Sequence, residues 1–274
     1  MPDFVYDIPP VRLASLFSLI AVGAVFVGLL IVKPVARMLF GTGPDFNQNI
    51  TYGSTGVNLF YGLLLGLLTV SAYQNNERVQ QAILAEATAV GSLYAGMRSY
   101  PEPLQGDVQA LLRDYVLFAV EGDWPAHRAG RVLDGGDHRA DAIRQRLSAF
   151  EPVTEGQKIL HAAMIAAYQE FSDARQKRVA GVFTQIPDVL WSAVLVGAVV
   201  NVFLLVMLKM RPHQQFLLGS ISAFFIGVIL FVIVSLDDPL RGEQGVRPDP
   251  FLQLWERQMI WDEGLEWSLG GRDG

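Results

Sequence analysis

Four long uncharged stretches divide the chain into membrane and non-membrane segments. They cover residues 13–32, 55–73, 189–208 and 216–236, and the second is the most polar of the four. At about 1.5 Å of rise per residue, a helix of that length spans the roughly 30 Å hydrocarbon core of a bilayer. We therefore predict four transmembrane helices in two pairs.

The first stretch is predicted to be a retained membrane anchor. Asp3 and Asp7 make the preceding segment acidic, and Lys33 and Arg37 follow the stretch directly. A cleaved signal peptide instead has a basic start and a shorter apolar core.

Between the two pairs, apolar residues of a polar segment recur every three or four positions, as at Val79, Ile83 and Ala87. This period is typical of amphipathic helices, and one helix is predicted over residues 154–184. The sequence thus predicts an all-α membrane protein with a helical domain inserted between the second and third spans. The expected segments are 1–73 (first helix pair), 74–188 (helical extramembrane domain), 189–236 (second pair) and 237–274 (tail).

The tail is expected to be extended with one short amphipathic segment, residues 251–267. Trp255, Trp261 and Trp267 could lie at a membrane interface, where tryptophan is enriched, or pack on the helical domain. Both alternatives stay open.

Short-loop charge predicts the orientation. Lys33 and Arg37 flank the first short loop, and Lys209 and Arg211 fill the second. Because basic residues stay in the cytoplasm, both termini and the helical domain are expected outside it, in a multi-pass protein of the plasma membrane.

Composition limits the classes of function that the chain can have. The chain has 51% hydrophobic and 18% charged residues, a net charge of -6 and no cysteine. No lysine- or arginine-rich run occurs, so nucleic acid is not expected as a partner. Without cysteine, thiolate catalysis and cysteine metal sites are excluded.

No chemistry of an enzyme is indicated. The chain has four histidines, and none has the spacing of a metal site, so no catalytic residue, metal or cofactor is predicted. His127 and His138 are expected to be solvated loop residues. The four stretches contain no histidine or carboxylate, which disfavours proton or cation chemistry within the membrane.

The second span carries a stripe of small and polar residues at helical spacing. The stripe consists of Thr55, Asn58, Gly62, Gly66, Thr69, Tyr73 and Asn76. Such a face is not expected to meet lipid, because unsatisfied polar groups are costly there. It either packs against a neighbouring helix or lines a water-filled pore in an oligomer.

Two further features predict helix packing. Gly219, Ala223 and Gly227 in the fourth span form a small-xxx-small pattern, which allows close approach of a neighbouring helix. Asn201 in the third span is expected to form an interhelical hydrogen bond.

Four segments, in this order and spacing, resemble the bestrophin-like domain family of mainly bacterial membrane proteins. They are Glu86, Ala87, Leu93 and Tyr94; Glu121, Trp124 and Pro125; Arg175, Arg178, Ile186, Pro187, Leu190 and Trp191; and Leu236, Asp237, Pro239, Gly242, Val246, Pro248 and Pro250. The resemblance covers nearly the whole chain. At Leu240 the family more often has an aromatic residue.

The resemblance implies similarity to bestrophins, which are pentameric anion channels with a pore lined by the second membrane helix. It implies a homo-oligomer in the bacterial inner membrane that passes small inorganic anions. True bestrophins keep the helical domain in the cytoplasm, whereas short-loop charge here predicts the opposite side. The chain also has no acidic cluster like their calcium-binding one.

The leading hypothesis is therefore an oligomeric, chloride-permeable channel. Its pore would be lined by the stripe residues Thr55, Asn58, Gly62, Gly66, Thr69 and Tyr73, with amide and hydroxyl donors facing the anion and insert arginines attracting anions at one mouth. The alternative is a non-conducting scaffold or sensor that binds a partner through the helical domain and tail.

The matched polar residues are expected to have structural roles. A carboxylate of Asp237 or Asp238 is predicted to pair with Arg175 or Arg178, and Glu86 with an arginine of the insert. The full structural set is Glu86, Trp124, Arg175, Arg178, Asp237, Pro239 and Gly242.

Overall fold

A computed structural model describes residues 8–40, 46–242 and 245–260, and these residues form helices and turns without a strand. The helices are α1 (Pro10–Val27), α2 (Lys33–Phe40), α3 (Phe46–Gly96), α4 (Leu104–Phe118), α5 (Trp124–Arg128), α6 (Gly135–Ser148), α7 (Glu155–Gly181), α8 (Asp188–Met207), α9 (Pro212–Asp237) and α10 (Asp249–Leu254). Short π-helical turns at Gly28–Val32 and Ala119–Asp123 continue α1 into α2 and α4 into α5, and a third at Trp255–Met259 follows α10. The chain forms two compact units.

The membrane unit contains residues up to Asn76 together with Gln185–Asp238. In the described part of the chain, four helices are long and apolar enough to cross a membrane: α1, α3, α8 and α9. The all-α class with four spans and an inserted helical domain is thus confirmed.

Helices α1 and α9 pack closely because glycines of α9 leave room. A Cβ at Gly227 would lie 2.8 Å from the Ser18 Cα and 2.9 Å from the Phe17 carbonyl oxygen. A Cβ at Gly219 would lie 2.7 Å from a methyl group of Val25. The packing predicted from the small-xxx-small pattern is confirmed.

Helix α3 is much longer than the predicted second span. Its 51 residues correspond to about 75 Å, more than twice the thickness of the hydrocarbon core. No proline interrupts it, and its second part buries Ile83, Val90 and Leu93 in the helical unit.

The helical unit contains Glu77–Thr184 and the tail from Pro239 onward. Helix α7 begins at Glu155 because the Thr154 hydroxyl accepts from the Gln157 N–H while the Gln157 side chain accepts from the Thr154 N–H. The tail buries Phe251 and Met259 in the same hydrophobic core, and Trp255 packs against that core. For Trp255, packing on the helical domain is therefore the correct alternative; Trp261 and Trp267 lie outside the described residues.

Candidate functional site

The stripe on α3 lies on the open side of the membrane unit. A Cβ built on Gly62 or Gly66 would meet no other atom within 4 Å. Thr55 and Asn58 are exposed, Thr69 is partly exposed, and Tyr73 is 56% exposed. Packing within one subunit therefore does not explain the two glycines.

Large apolar side chains occupy a separate arc of the same open side. Successive residues of a helix turn by about 100°, so the stripe from Asn58 to Gly66 covers an arc of about 80°. The exposed Phe60, Leu63 and Leu67 fall on the arc beyond it. The open side of α3 thus has a small polar part and a large apolar part.

The threonine hydroxyls of the stripe donate to their own helix. The Thr55 hydroxyl donates to the Thr51 carbonyl oxygen, and the Thr69 hydroxyl donates to the Leu65 carbonyl oxygen, each at 2.8 Å. Each hydroxyl has one hydrogen, so both threonines turn only oxygen lone pairs outward. The expectation that these hydroxyls donate to an anion is wrong for this arrangement.

Asn58 is hydrogen-bonded to the neighbouring span. The Asn201 Nδ2 group of α8 donates to the Asn58 Oδ1 atom at 2.8 Å, so the interhelical hydrogen bond predicted for Asn201 is confirmed. The Asn58 carbonyl oxygen is thereby turned toward α8, which leaves its NH₂ group as a donor at the edge of the stripe.

The helical unit contains a buried network of charges centred on Arg178. The guanidinium donates to both Glu86 oxygens, from Nε at 2.6 Å and from Nη2 at 3.0 Å, and to Asp123 Oδ2 at 3.2 Å. The Tyr115 hydroxyl also donates to Glu86. Glu86 thus meets an arginine of the insert in a bidentate ion pair, as hypothesised.

Arg175 extends this network toward α6. Its Nη2 donates to Asp137 Oδ1 at 2.9 Å, and its Nη1 lies 3.8 Å from Asp123 Oδ2. A Cβ at Gly136 would lie 2.6 Å from Nη2, so glycine leaves the space that the guanidinium occupies. Arg175 and Arg178 are buried and paired, so the hypothesis that insert arginines attract anions does not apply to these two.

His127 belongs to the same network. It is only 1% exposed, so the prediction of a solvated histidine is wrong at this position, whereas His138 is exposed. Arg178 Nη1 lies 3.2 Å from His127 Nδ1. Because a guanidinium can only donate, Nδ1 accepts and the ring proton is on Nε2.

Burial and the charges of the two arginines shift the pKa values of this network. Desolvation, followed by the positive charges of Arg178 and Arg175, lowers the pKa of His127 to about 3, so the ring is neutral. Burial raises the pKa of Asp123 despite the opposing effect of both arginines. Burial disfavours the charged form of Arg178 and by itself would lower its pKa, but Glu86, Tyr115 and Asp123 together raise that pKa above its ordinary value.

Asp237 has other partners than those predicted. Its carboxylate accepts from the Ile186 N–H at 2.6 Å and from Trp191 Nε1 at 3.2 Å. It thereby fixes the start of α8, where Pro187 has no N–H to offer. In the described part of the chain, Arg175 and Arg178 instead pair with Glu86, Asp123 and Asp137, so the pairing predicted for Asp237 is wrong.

The remaining residues of the structural set hold the tail. Trp124 Nε1 donates to the Val246 carbonyl oxygen at 2.9 Å. The Pro239 carbonyl oxygen accepts from the Val246 N–H at 2.7 Å. Gly242 has a positive φ of 68°, and its N–H donates to the Arg128 carbonyl oxygen at 3.2 Å.

Sequence reasoning missed Asp123, His127 and Tyr115 as members of the network. None of the three has a motif of its own, and each role depends on Arg178 more than 50 positions away in the chain. The one sequence signal for a buried charge was the pair of arginines at positions 175 and 178, because they lie on a helix that also needs an apolar face. In the described part of the chain, no group of three or more His, Asp or Glu side chains could hold a metal ion.

A sequence comparison assigns the chain to a family. The profile of the bestrophin-like domain matches residues 19–251, which is most of the chain. The chain belongs to the bestrophin-like family. The resemblance noted from its four segments is thus confirmed, while a comparison with curated proteins finds no significant match.

Solved structures with the same fold are distant in sequence. Two are crystal structures of point mutants of a bacterial bestrophin homolog from Klebsiella pneumoniae. One has a TM-score of 0.67 at 10% identity and covers 89% of this chain and 98% of that chain. The other has a TM-score of 0.66 at 10% identity and covers 88% and 97%. A third, a point mutant of a membrane protein, has a TM-score of 0.66 at 9% identity and covers 89% and 97%. This bestrophin-like chain therefore has the bestrophin fold and is a multi-pass membrane protein.

Proposed function

We propose that this bestrophin-like protein is a homo-oligomeric anion channel of the bacterial inner membrane, with α3 lining the pathway. The lining residues would be Thr55, Asn58, Gly62, Gly66, Thr69 and Tyr73. A pentamer is the assembly that the resemblance to bestrophins implies, with chloride or another small inorganic anion as the permeant ion.

The open stripe carries this proposal. The space beside Gly62 and Gly66 is empty of other atoms of the subunit, and the exposed amide of Asn58 lies next to it. In lipid an unsatisfied amide is costly, so this face requires water or another subunit. Small side chains also leave room for a hydrated ion, and neutral donors favour an anion over a cation.

The scaffold hypothesis would be favoured by a stripe buried between helices of one subunit. The open glycines supply no such observation, so the channel is the better supported of the two functions.

A flux measurement tests the proposal. Purified protein in chloride-loaded liposomes is expected to release chloride, and Gly62→Leu or Gly66→Leu should reduce release to near the level of protein-free vesicles. Gly23→Leu is the matched control, since a Cβ at Gly23 of α1 also meets no atom within 4 Å. An intact oligomer that releases no chloride would refute the channel.

The proposed orientation places the helical domain and both termini outside the cytoplasm. The chain has no cysteine, so single cysteines at Gln145, an exposed residue of α6, and Gln214, an exposed residue at the start of α9, report the two sides. In intact spheroplasts, an impermeant maleimide should label Gln145→Cys and spare Gln214→Cys. The opposite pattern would reverse the orientation.

A further inference from the structure

The hydrogen bond between Asn201 and Asn58 has a direction, and this direction decides which atoms α3 offers to an ion. Asn201 Nδ2 donates and Asn58 Oδ1 accepts, at 2.8 Å. The Asn58 oxygen thus accepts a hydrogen bond within the subunit, and the Asn58 NH₂ group is not used in this bond. An amide has two donors and one acceptor oxygen, so fixing the oxygen fixes the polarity of the exposed end.

The position of Asn58 on α3 places that donor end at the border of the stripe. Tyr61 and Leu65 are buried and face the core of the membrane unit, and a Cβ at Gly197 would lie within 2.6 Å of two carbon atoms of the Tyr61 ring. Gly197 and Asn201 are four residues apart, so the same face of α8 meets α3 at both positions. Asn58, three residues before Tyr61, lies between this contact and the open Gly62.

The nearest hydroxyl of the stripe offers no competing donor. Thr55, one turn before Asn58, uses its hydroxyl hydrogen on the Thr51 carbonyl oxygen. Thr69, three turns beyond Asn58, does the same with the Leu65 carbonyl oxygen. Between these two threonines the stripe residues are Asn58, Gly62 and Gly66, so Asn58 is the side chain there that can donate to an ion.

We propose that Asn201, which itself is not among the proposed pore-lining residues, sets the anion preference by holding the Asn58 oxygen, so that Asn58 presents its NH₂ group to the pathway. This inference rests on the proposed channel function. Asn201 acts as a positioning residue: it does not meet the ion but determines whether Asn58 offers a donor or an acceptor. Without Asn201, the Asn58 side chain can rotate and turn its oxygen toward a cation.

Reversal potentials across a planar bilayer with a potassium chloride gradient test this role, because they report the ratio of chloride to potassium permeability separately from conductance. Asn201→Leu is expected to lower that ratio about threefold or more, the factor that corresponds to one net hydrogen bond. Asn58→Leu should lower it similarly, and the double variant should not lower it further. Asn201→Gln retains a donor and is expected to keep most of the preference.

Ser192→Leu is the matched control on α8. Its hydroxyl is exposed and donates to the Asp188 carbonyl oxygen of its own helix at 2.9 Å, so its loss should leave the permeability ratio unchanged. If Asn201→Leu does not assemble, Asn201→Ala removes the same donor without adding bulk.

The outcomes separate the two proposals. A wild-type ratio above one that falls in Asn201→Leu and Asn201→Ala supports the positioning role. A conducting channel whose ratio is the same in wild type and in these variants would overturn the role of Asn201 but leave the channel standing. An intact oligomer without any conductance would overturn both.

Discussion

The membrane unit and the helical unit differ in the kind of polar group that they bury away from their edges. Away from the ends of the spans, the hydrogen bonds of the membrane unit join neutral groups: threonine hydroxyls to backbone carbonyls, and Asn201 to Asn58. Its buried charges, Lys33, Asp237 and Asp238, lie at or next to span ends, where Lys33 donates to Gln215 and Asp237 accepts from Trp191. The helical unit instead buries Glu86, Arg178 and Asp123 in one network.

The difference follows from the surroundings of each unit. In hydrocarbon every unpaired polar group is costly and a charge even more so, which limits the middle of the spans to small neutral groups that bond to their own backbone or to one neutral partner. In the helical unit a charge can be buried when a partner compensates it, at the expense of strong dependence on that partner. Polar groups in the spans therefore act through separate single hydrogen bonds, whereas those in the helical unit act collectively.

The largest expected effect is the loss of Arg178. Arg178→Met leaves Glu86 and Asp123 buried without their main counter-charge, so the free energy of unfolding should fall by about 3–5 kcal/mol. Urea unfolding in detergent micelles, followed by tryptophan fluorescence, measures this change.

Arg144→Met is the control, because its ion pair with Asp141 is exposed at both partners; it should cost about 1 kcal/mol or less. Adding Glu86→Leu to Arg178→Met should recover part of the loss. A loss no larger than that of Arg144→Met would show that the network is not collective.

The corresponding test in the membrane unit concerns Asp237. Asp237→Ala leaves the Ile186 N–H and the Trp191 Nε1 group without their acceptor, and hydrogen bonds to a charged group contribute about 1.5–3 kcal/mol. We expect a loss of about 2 kcal/mol in thermal or urea unfolding. Asp188→Ala, at an exposed position in the first turn of α8, is the control and should cost less than half as much. Charge reversal at Asp237 that left stability and assembly intact would contradict the role assigned to its carboxylate.

The two units also differed in how far the sequence could predict them. The spans could be predicted from local hydrophobicity, and the close packing at Gly227 from a local pattern of small residues. Both were predictable because a residue in the membrane must be apolar or small to fit its immediate surroundings. The network of Arg178 depends on residues from three distant segments. His127 shows the limit: nothing in its neighbourhood indicates burial, and its hydrogen-bond partner Arg178 lies 51 positions away in the chain. For α3, the sequence predicted the stripe but not that the threonine hydrogens are used by the backbone.

A third test compares two glycines of the membrane unit. Gly227→Val places side-chain atoms against the backbone of Ser18, which cannot move aside as a side chain would, and overpacking costs about 1–3 kcal/mol. Gly66→Ala meets open space and should not lower the free energy of unfolding, because alanine is favoured over glycine within a helix by about 0.5–1 kcal/mol. Thermal unfolding in detergent distinguishes the two. Equal losses would show that Gly66 is packed as tightly as Gly227 in the assembled protein.

The smallest expected effect concerns pH and the neutral ring of His127. Its pKa in the folded protein is about 3, below the ordinary value of 6.5, so between these values only the unfolded chain binds this proton. Lowering the pH therefore favours unfolding, by about 1 kcal/mol per pH unit from this residue, whereas above pH 6.5 the contribution is constant. His127→Gln keeps an acceptor for Arg178 but cannot take up the proton, so its stability should fall less steeply between pH 6 and pH 4.5. The carboxylates of Glu86 and Asp123 are present in both proteins, which makes the difference in slope specific to His127.

His138→Gln is the control, because His138 is at an exposed position of α6, and it should retain the wild-type slope. An unchanged slope in His127→Gln would mean that the ring is protonated alike in the folded and unfolded states.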